Sequence, residues 1–175
     1  MKTAPVVTAV SPSRKTEMYC LGVLLRRPEF LHRLDRNLQL VGLSRLLNID
    51  FEYTDHQELL GFIRASLEQD KVDHHQHILD NLPETLKDLA GELLESTQDM
   101  DPVDDRLLEE LQRKIIKLRK LGVNESLSQW RFMFEDAQQQ GDLIATPYQQ
   151  KVLEHTKLLH ALDIAEKKLA ARRLE

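Results

Sequence analysis

From Leu108 to Leu169 the chain repeats its apolar residues at helical spacing, interrupted by a single turn. Leu108, Leu111, Ile115 and Leu118 form one stripe, and Leu127, Trp130, Phe134 and Ala137 continue at spacings of three, four and three. Gly141-Asp142-Leu143-Ile144-Ala145-Thr146 then reads as a turn, with Pro147 placed where a helix can start. Beyond it Tyr148, Val152, His155, Leu158, Leu159, Leu162, Ala165 and Leu169 make a second apolar helix face. Two such helices on either side of a short turn must fold back on each other. A lone hairpin buries little, and this one carries more apolar surface than one seam needs. It therefore docks on a body or is held out for a partner.

The first stripe does not run straight. Extended at its own spacing it would pass through Gly122 and Glu125, yet it resumes at Val123 and Leu127. A one-residue shift turns the apolar face by about 100°. The first half should then pack on preceding helices and the second on the hairpin partner. A continuous or kinked helix is the reading adopted; a stop at Gly122 or a new start at Asn124 is the alternative. Either way Gly122-Val123-Asn124 divides a helical bundle (16–121) from a helical hairpin (122–175), with 1–15 a disordered linker.

Composition agrees with an all-α fold: a helical bundle subdomain followed by a long helix and a C-terminal helical hairpin. Of 175 residues 41% are hydrophobic, enough for a real core, whereas aromatics are 5%. No stretch alternates with period two long enough to argue a sheet. A net charge of −5 argues against general nucleic-acid binding, which needs clustered Lys and Arg. Cys20 is the only cysteine, so neither a disulfide framework nor a thiolate zinc site is available, as expected for a reducing cytoplasm. No apolar run approaches the roughly 20 residues of a membrane span. Met1 to Val10 is too weakly apolar for a signal peptide and is bracketed by Pro5 and Pro12. It reads as a linker, which suggests a chain cut from something longer.

Helix signals punctuate the rest. Thr16 is an expected N-cap with Glu17 in the first turn, and Arg26-Arg27-Pro28 ends that helix. A short helical turn is expected over 29–34 and a helix over 37–47 weakened by Gly42. Thr54-Asp55-His56-Gln57 fits a capping box. Short helices follow over 73–82 and 83–95, and Asp101-Pro102 gives a cap with proline at the first helical position.

Little in the chain argues for catalysis. His74-His75-Gln76-His77 resembles a metal cluster, but on a helix His75 points away from the other two and a solvated polar face is preferred. Asp99-Met100-Asp101 resembles a magnesium motif, but Asp101 reads as a cap. Gly-rich phosphate loops and nucleophile elbows are missing from the sequence. Arg113-Lys114, Lys117, Arg119-Lys120 and the group from Lys167 to Arg173 are basic, and a solvated face is preferred to a contact with nucleic acid or an acidic partner. No catalytic residue, metal ligand or cofactor is assigned. The candidate partner-binding residues are the apolar ones outside the seam or near the turn: Phe132, Met133, Leu143, Ile144, Tyr148, Val152 and Leu159. They either bind a partner or fold back on the bundle.

The stretch Glu17-Met18-Tyr19-Cys20-Leu21-Gly22-Val23-Leu24-Leu25-Arg26-Arg27-Pro28-Glu29-Phe30 resembles the opening helix of the C-terminal helicase-binding domain of bacterial DnaG-type primases. It also resembles the related N-terminal domain of the replicative helicase. Leu107 to Lys120, the turn at Gln138-Gln139-Gln140-Gly141-Asp142, and Leu158 to Leu174 favour the primase. The resemblance covers about residues 14–175 and rests on degenerate helix patterns. It implies a replisome-associated cytoplasmic module that docks on the collar of the hexameric DnaB-type helicase and modulates helicase activity and primer synthesis. It implies neither nucleic-acid nor membrane binding by this chain. The family's zinc-binding module and catalytic toprim domain are missing, so no enzyme activity is expected here. A helicase collar-like domain or a self-associating helical scaffold is the alternative, and a metal-dependent helical enzyme using the histidines a third.

Overall fold

Ser11 and Pro12 begin the first helix in a computed structural model that describes residues 11–70, 73–141 and 145–172. Seven α-helices and one 3-10 turn make up the regular structure of these residues. In α1 (Pro12–Arg26) the Ser11 hydroxyl accepts from the Arg14 N–H at 3.1 Å, with proline in the first turn. The helix thus starts four residues before the expected cap. Thr16 is inside it, donating to the Pro12 carbonyl at 3.0 Å, and residues 12–15 are helix rather than linker. Cys20 to Leu25 are all buried, because α1 lies at the centre of the bundle against α3, α5 and α6.

The expected break between residues 34 and 37 does not occur. Phe30, Leu31, Leu34 and Leu38 share one buried face, which carries a single α2 (Phe30–Leu40) through that stretch. Gly42 ends it with φ at +88°: the Gly42 N–H reaches the Gln39 carbonyl and the Leu43 N–H the Leu38 carbonyl, a Schellman closure. Residues 43–47 are therefore irregular, and a 3-10 turn (Asn48–Asp50) follows. This connection is held by two arginines. Arg119 forks onto the Asp50 carboxylate at 2.7 and 2.9 Å and donates to the Ser44 and Arg45 carbonyls. Arg64 bridges the Asp35 carboxylate and the Leu46 carbonyl, while Asp35 accepts from the Leu46 N–H.

The helix α3 (Thr54–Ser66) starts without the expected Thr54 capping box: Tyr53 occupies the cap position without a side-chain cap bond. Gln57 donates instead to the Phe51 carbonyl at 2.7 Å. Asp73 caps α4 (His74–Asn81) through the Gln76 N–H, and Pro83 precedes α5 (Glu84–Ser96). At Gly22 the backbones of α1 and α5 come so close that an added Cβ would meet Thr97 Cγ2 at 2.5 Å and the Leu93 carbonyl at 2.9 Å. Asp101 accepts from the Val103 N–H and so shapes the approach rather than capping the helix, which begins at Asp104.

That helix, α6 (Asp104–Gln139), runs 36 residues without a break at Gly122, about 54 Å at the helical rise. After Gly141, at φ +65°, α7 (Ala145–Arg172) returns antiparallel to it. Lys120 of α6 meets Asp163 and Glu166 of α7. Leu162, Ala165 and Leu169 join the same buried core as Leu107, Leu111, Ile115 and Ile116. The boundary at 121/122 therefore separates residues that pack together. Mechanically, the division falls along the hairpin, between a base fixed to the bundle and a tip seamed only to itself.

Candidate functional site

Burial along the hairpin tip follows the shifted stripe. Leu127 and Ala137 are buried and Trp130 and Phe134 half-buried, all turned toward α7. The Trp130 ring stacks on Tyr148 at a centroid distance of 6.1 Å and tilts against His155 at 6.4 Å. His155 is itself oriented by donating from Nδ1 to the Lys151 carbonyl at 2.8 Å. These rings close the seam near the turn.

The candidate binding residues consequently separate into two sets. Phe132 is 71% exposed and Met133 45% exposed, on the outer side of α6. Tyr148, Val152 and Leu159 are half-buried, with Tyr148 in the Trp130 stack, so it is a seam residue rather than a free outer-face contact. Leu143 and Ile144 lie outside the described residues. Leu153, at 56% exposure, and Leu158, at 53%, add apolar surface on α7 that a strict seam pattern does not isolate. Together these side chains leave apolar surface open to water outside the seam.

A second apolar surface lies at the base of the hairpin. The Gly42–Asp50 connection, the middle of α6 and the His155–Leu162 stretch of α7 enclose a groove of about 550 Å³. Leu158 lies along it and Ile49, 80% exposed, stands at its edge. Sequence periodicity placed Leu46 and Leu47 in a helix and gave no special role to Ile49; the only signal was a leucine-rich run following a helix-ending glycine.

Polar groups elsewhere serve the fold. Glu17, expected in the first turn, lies further into α1, which starts earlier, and is buried. Its carboxylate accepts from the Glu52 N–H at 2.7 Å and from His56 Nδ1 at 2.6 Å, joining α1 to the start of α3. His74 donates to the Ser66 carbonyl at 3.0 Å and His75 to the Leu25 carbonyl at 2.7 Å. These histidines fasten α4 to α3 and α1 rather than forming a solvated face. Among the described residues no group of three or more His, Cys, Asp or Glu is arranged to hold a metal ion. Burial pushes the Cys20 thiol well above its ordinary range, which makes it a poor nucleophile. No helix among the described residues is long and apolar enough to cross a membrane.

Comparison with protein-family models, curated proteins and solved structures finds no match to the chain. A catalytic constellation is not evident among the described residues.

Proposed function

We propose that the chain is a protein-interaction module of the bacterial primase type, which binds the replicative hexameric helicase, recruits primase to the replication fork and modulates helicase activity and primer synthesis. The observation that carries the reading is the exposed Phe132–Met133 pair on a hairpin tip whose seam is already complete without it. A helix face that places apolar side chains outside its own packing is suited to a groove or helix pair on a partner. The bundle supplies a fixed base, because the end of α7 is built into its core.

Size-exclusion chromatography with the replicative helicase of the same organism tests this. A co-eluting complex at micromolar protein and low salt is expected. Phe132→Asp and Met133→Asp should weaken it at least tenfold, about 1.4 kcal/mol or more, with unchanged circular dichroism. Absence of a complex under those conditions defeats the proposal. Light scattering of the chain alone separates it from a self-associating scaffold, which the same exposed residues also suit: a stable trimer or hexamer without helicase favours the scaffold.

A further inference from the structure

The outer side of α6 at the hairpin tip carries charge beside its apolar surface, and around Phe132 that charge has one sign. Glu135 and Asp136 lie three and four residues beyond Phe132, which puts both on its face of the helix, and both are exposed. One turn before it, Ser128 and Gln129 are exposed and uncharged. Arg131, the only lysine or arginine between Asn124 and Gln140, is turned about 100° away from Phe132. Asp136 accepts from the Gln140 side-chain amide at 2.9 Å, and no lysine or arginine pairs with it or with Glu135 among the described residues. Asp142, Leu143 and Ile144, outside the described residues, include no lysine or arginine either.

The helix adds to the negative field. Asp136 stands in the last turn of α6, at the negative end of the helix dipole, where a cation is the stabilising choice; that turn holds no basic residue. A cation brought from outside offsets this local cost. We propose that this face docks on a basic amphipathic helix of a partner protein, with Phe132 and Met133 against its apolar stripe and Glu135 and Asp136 against lysine or arginine beside that stripe. This names the partner chemistry for the site proposed above; it rests on the tip being a protein-interaction site but not on the partner being the helicase. Phe132, 71% exposed, would by itself suit any apolar surface. The carboxylates one turn away select among such surfaces, because a neutral or acidic rim would desolvate them without a matching charge. Helix geometry selects as well. The rows through Phe132 at spacings of three and four form ridges that fit between the side chains of a second helix.

Two fluorescein-labelled amphipathic helical peptides, one of leucine and lysine and one of leucine and glutamate in the same pattern, test this by anisotropy on the full chain at low salt. The lysine peptide should bind roughly tenfold or more tightly than the glutamate peptide, and the difference should shrink as salt rises. Glu135→Gln with Asp136→Asn should remove most of that preference, whereas Phe132→Ala should weaken the lysine peptide at every salt concentration. Should the double variant lose helix by circular dichroism, the two single substitutions replace it, each with a smaller loss expected. Glu92→Gln with Glu95→Gln takes the same charge from exposed positions of α5 and should bind as the unaltered chain does, which separates docking at the tip from attraction to a net charge of −5. Helicase co-elution is scored separately. Its failure beside the expected peptide results removes the helicase and leaves the basic partner; its success beside indifferent peptides removes the basic partner and leaves the helicase. The proposal is overturned if the lysine peptide is not preferred, if the α5 variant costs as much as the tip variant, or if light scattering shows a dimer that Phe132→Ala dissociates, since a second copy then covers the face.

Discussion

Single residues in this chain are fixed by neighbours that no local pattern reveals. Gly22 sits where α1 and α5 touch, so that even a methyl group would collide with Thr97 and the Leu93 carbonyl. The carbonyl is backbone and cannot swing aside. Gly22→Ala is therefore expected to destabilise the fold by roughly 1–3 kcal/mol despite alanine's better helix propensity, as read by chemical denaturation. Gly122 is the opposite case. It lies mid-helix in α6 with φ in the ordinary range and nothing within 4 Å of an added Cβ. There Gly122→Ala should raise stability by about 0.5–1 kcal/mol, and a loss on the same measurement would mean that α6 bends at that position. Glu17 shows the limit of local reading: a first-turn acid by sequence, it is a buried hydrogen-bond acceptor once α1 begins at Pro12.

At the scale of elements, α6 and α7 are joined by an apolar seam and, among the described residues, by the ionic cluster at Lys120. Lys120 lies within 2.8 Å of both Asp163 and Glu166. Donation from Lys120 holds the Asp163 carboxyl below its ordinary 3.8, and the same bonds, to Asp163 and then to Glu166, hold Lys120 above 10.5. A carboxylate with a depressed folded value contributes stability above its unfolded value and loses it as pH falls through the folded one. A lysine with a raised folded value contributes below its unfolded value and loses that as pH rises through the folded one. The hairpin should thus be insensitive to the pair between about pH 5 and 9 and weaken in acid. Removing the cation with Lys120→Met should reduce that acid sensitivity, measured as the urea midpoint near neutrality and at about pH 3. An unchanged slope would show that the exposed carboxylates are screened, as surface pairs often are.

For the whole molecule, burial is uneven along the chain. The bundle and the base of the hairpin share one core, including Leu162, Ala165 and Leu169, whereas Leu127, Trp130, Phe134 and Ala137 pack only across the hairpin. Trp130 is the only tryptophan and reports this tip alone. Its fluorescence should change at lower urea than the helical circular dichroism of the chain, because the tip buries less apolar surface per residue. Coincident transitions would instead make bundle and tip one cooperative unit. A weakly held tip bearing Phe132 and Met133 is also the part best able to adjust to a partner, which links the stability gradient to the proposed binding role.

The all-α class, the long helix and its return were legible in the sequence, because helical periodicity follows from local spacing and the turn from Gly141, although α7 begins at Ala145, two residues before Pro147. The seam residues Leu127, Trp130 and Ala137 were legible for the same reason. Helix starts were less so: Ser11 took the cap expected of Thr16, and a shared buried face carried α2 through an expected break. Long-range relations were invisible to spacing. These include the Glu17–His56 pair, the Arg119 clamp, and the contacts of His74 and His75. The sequence by itself determined which faces are apolar. Tertiary structure decided which of those faces are already covered, since coverage depends on packing between segments far apart in the chain.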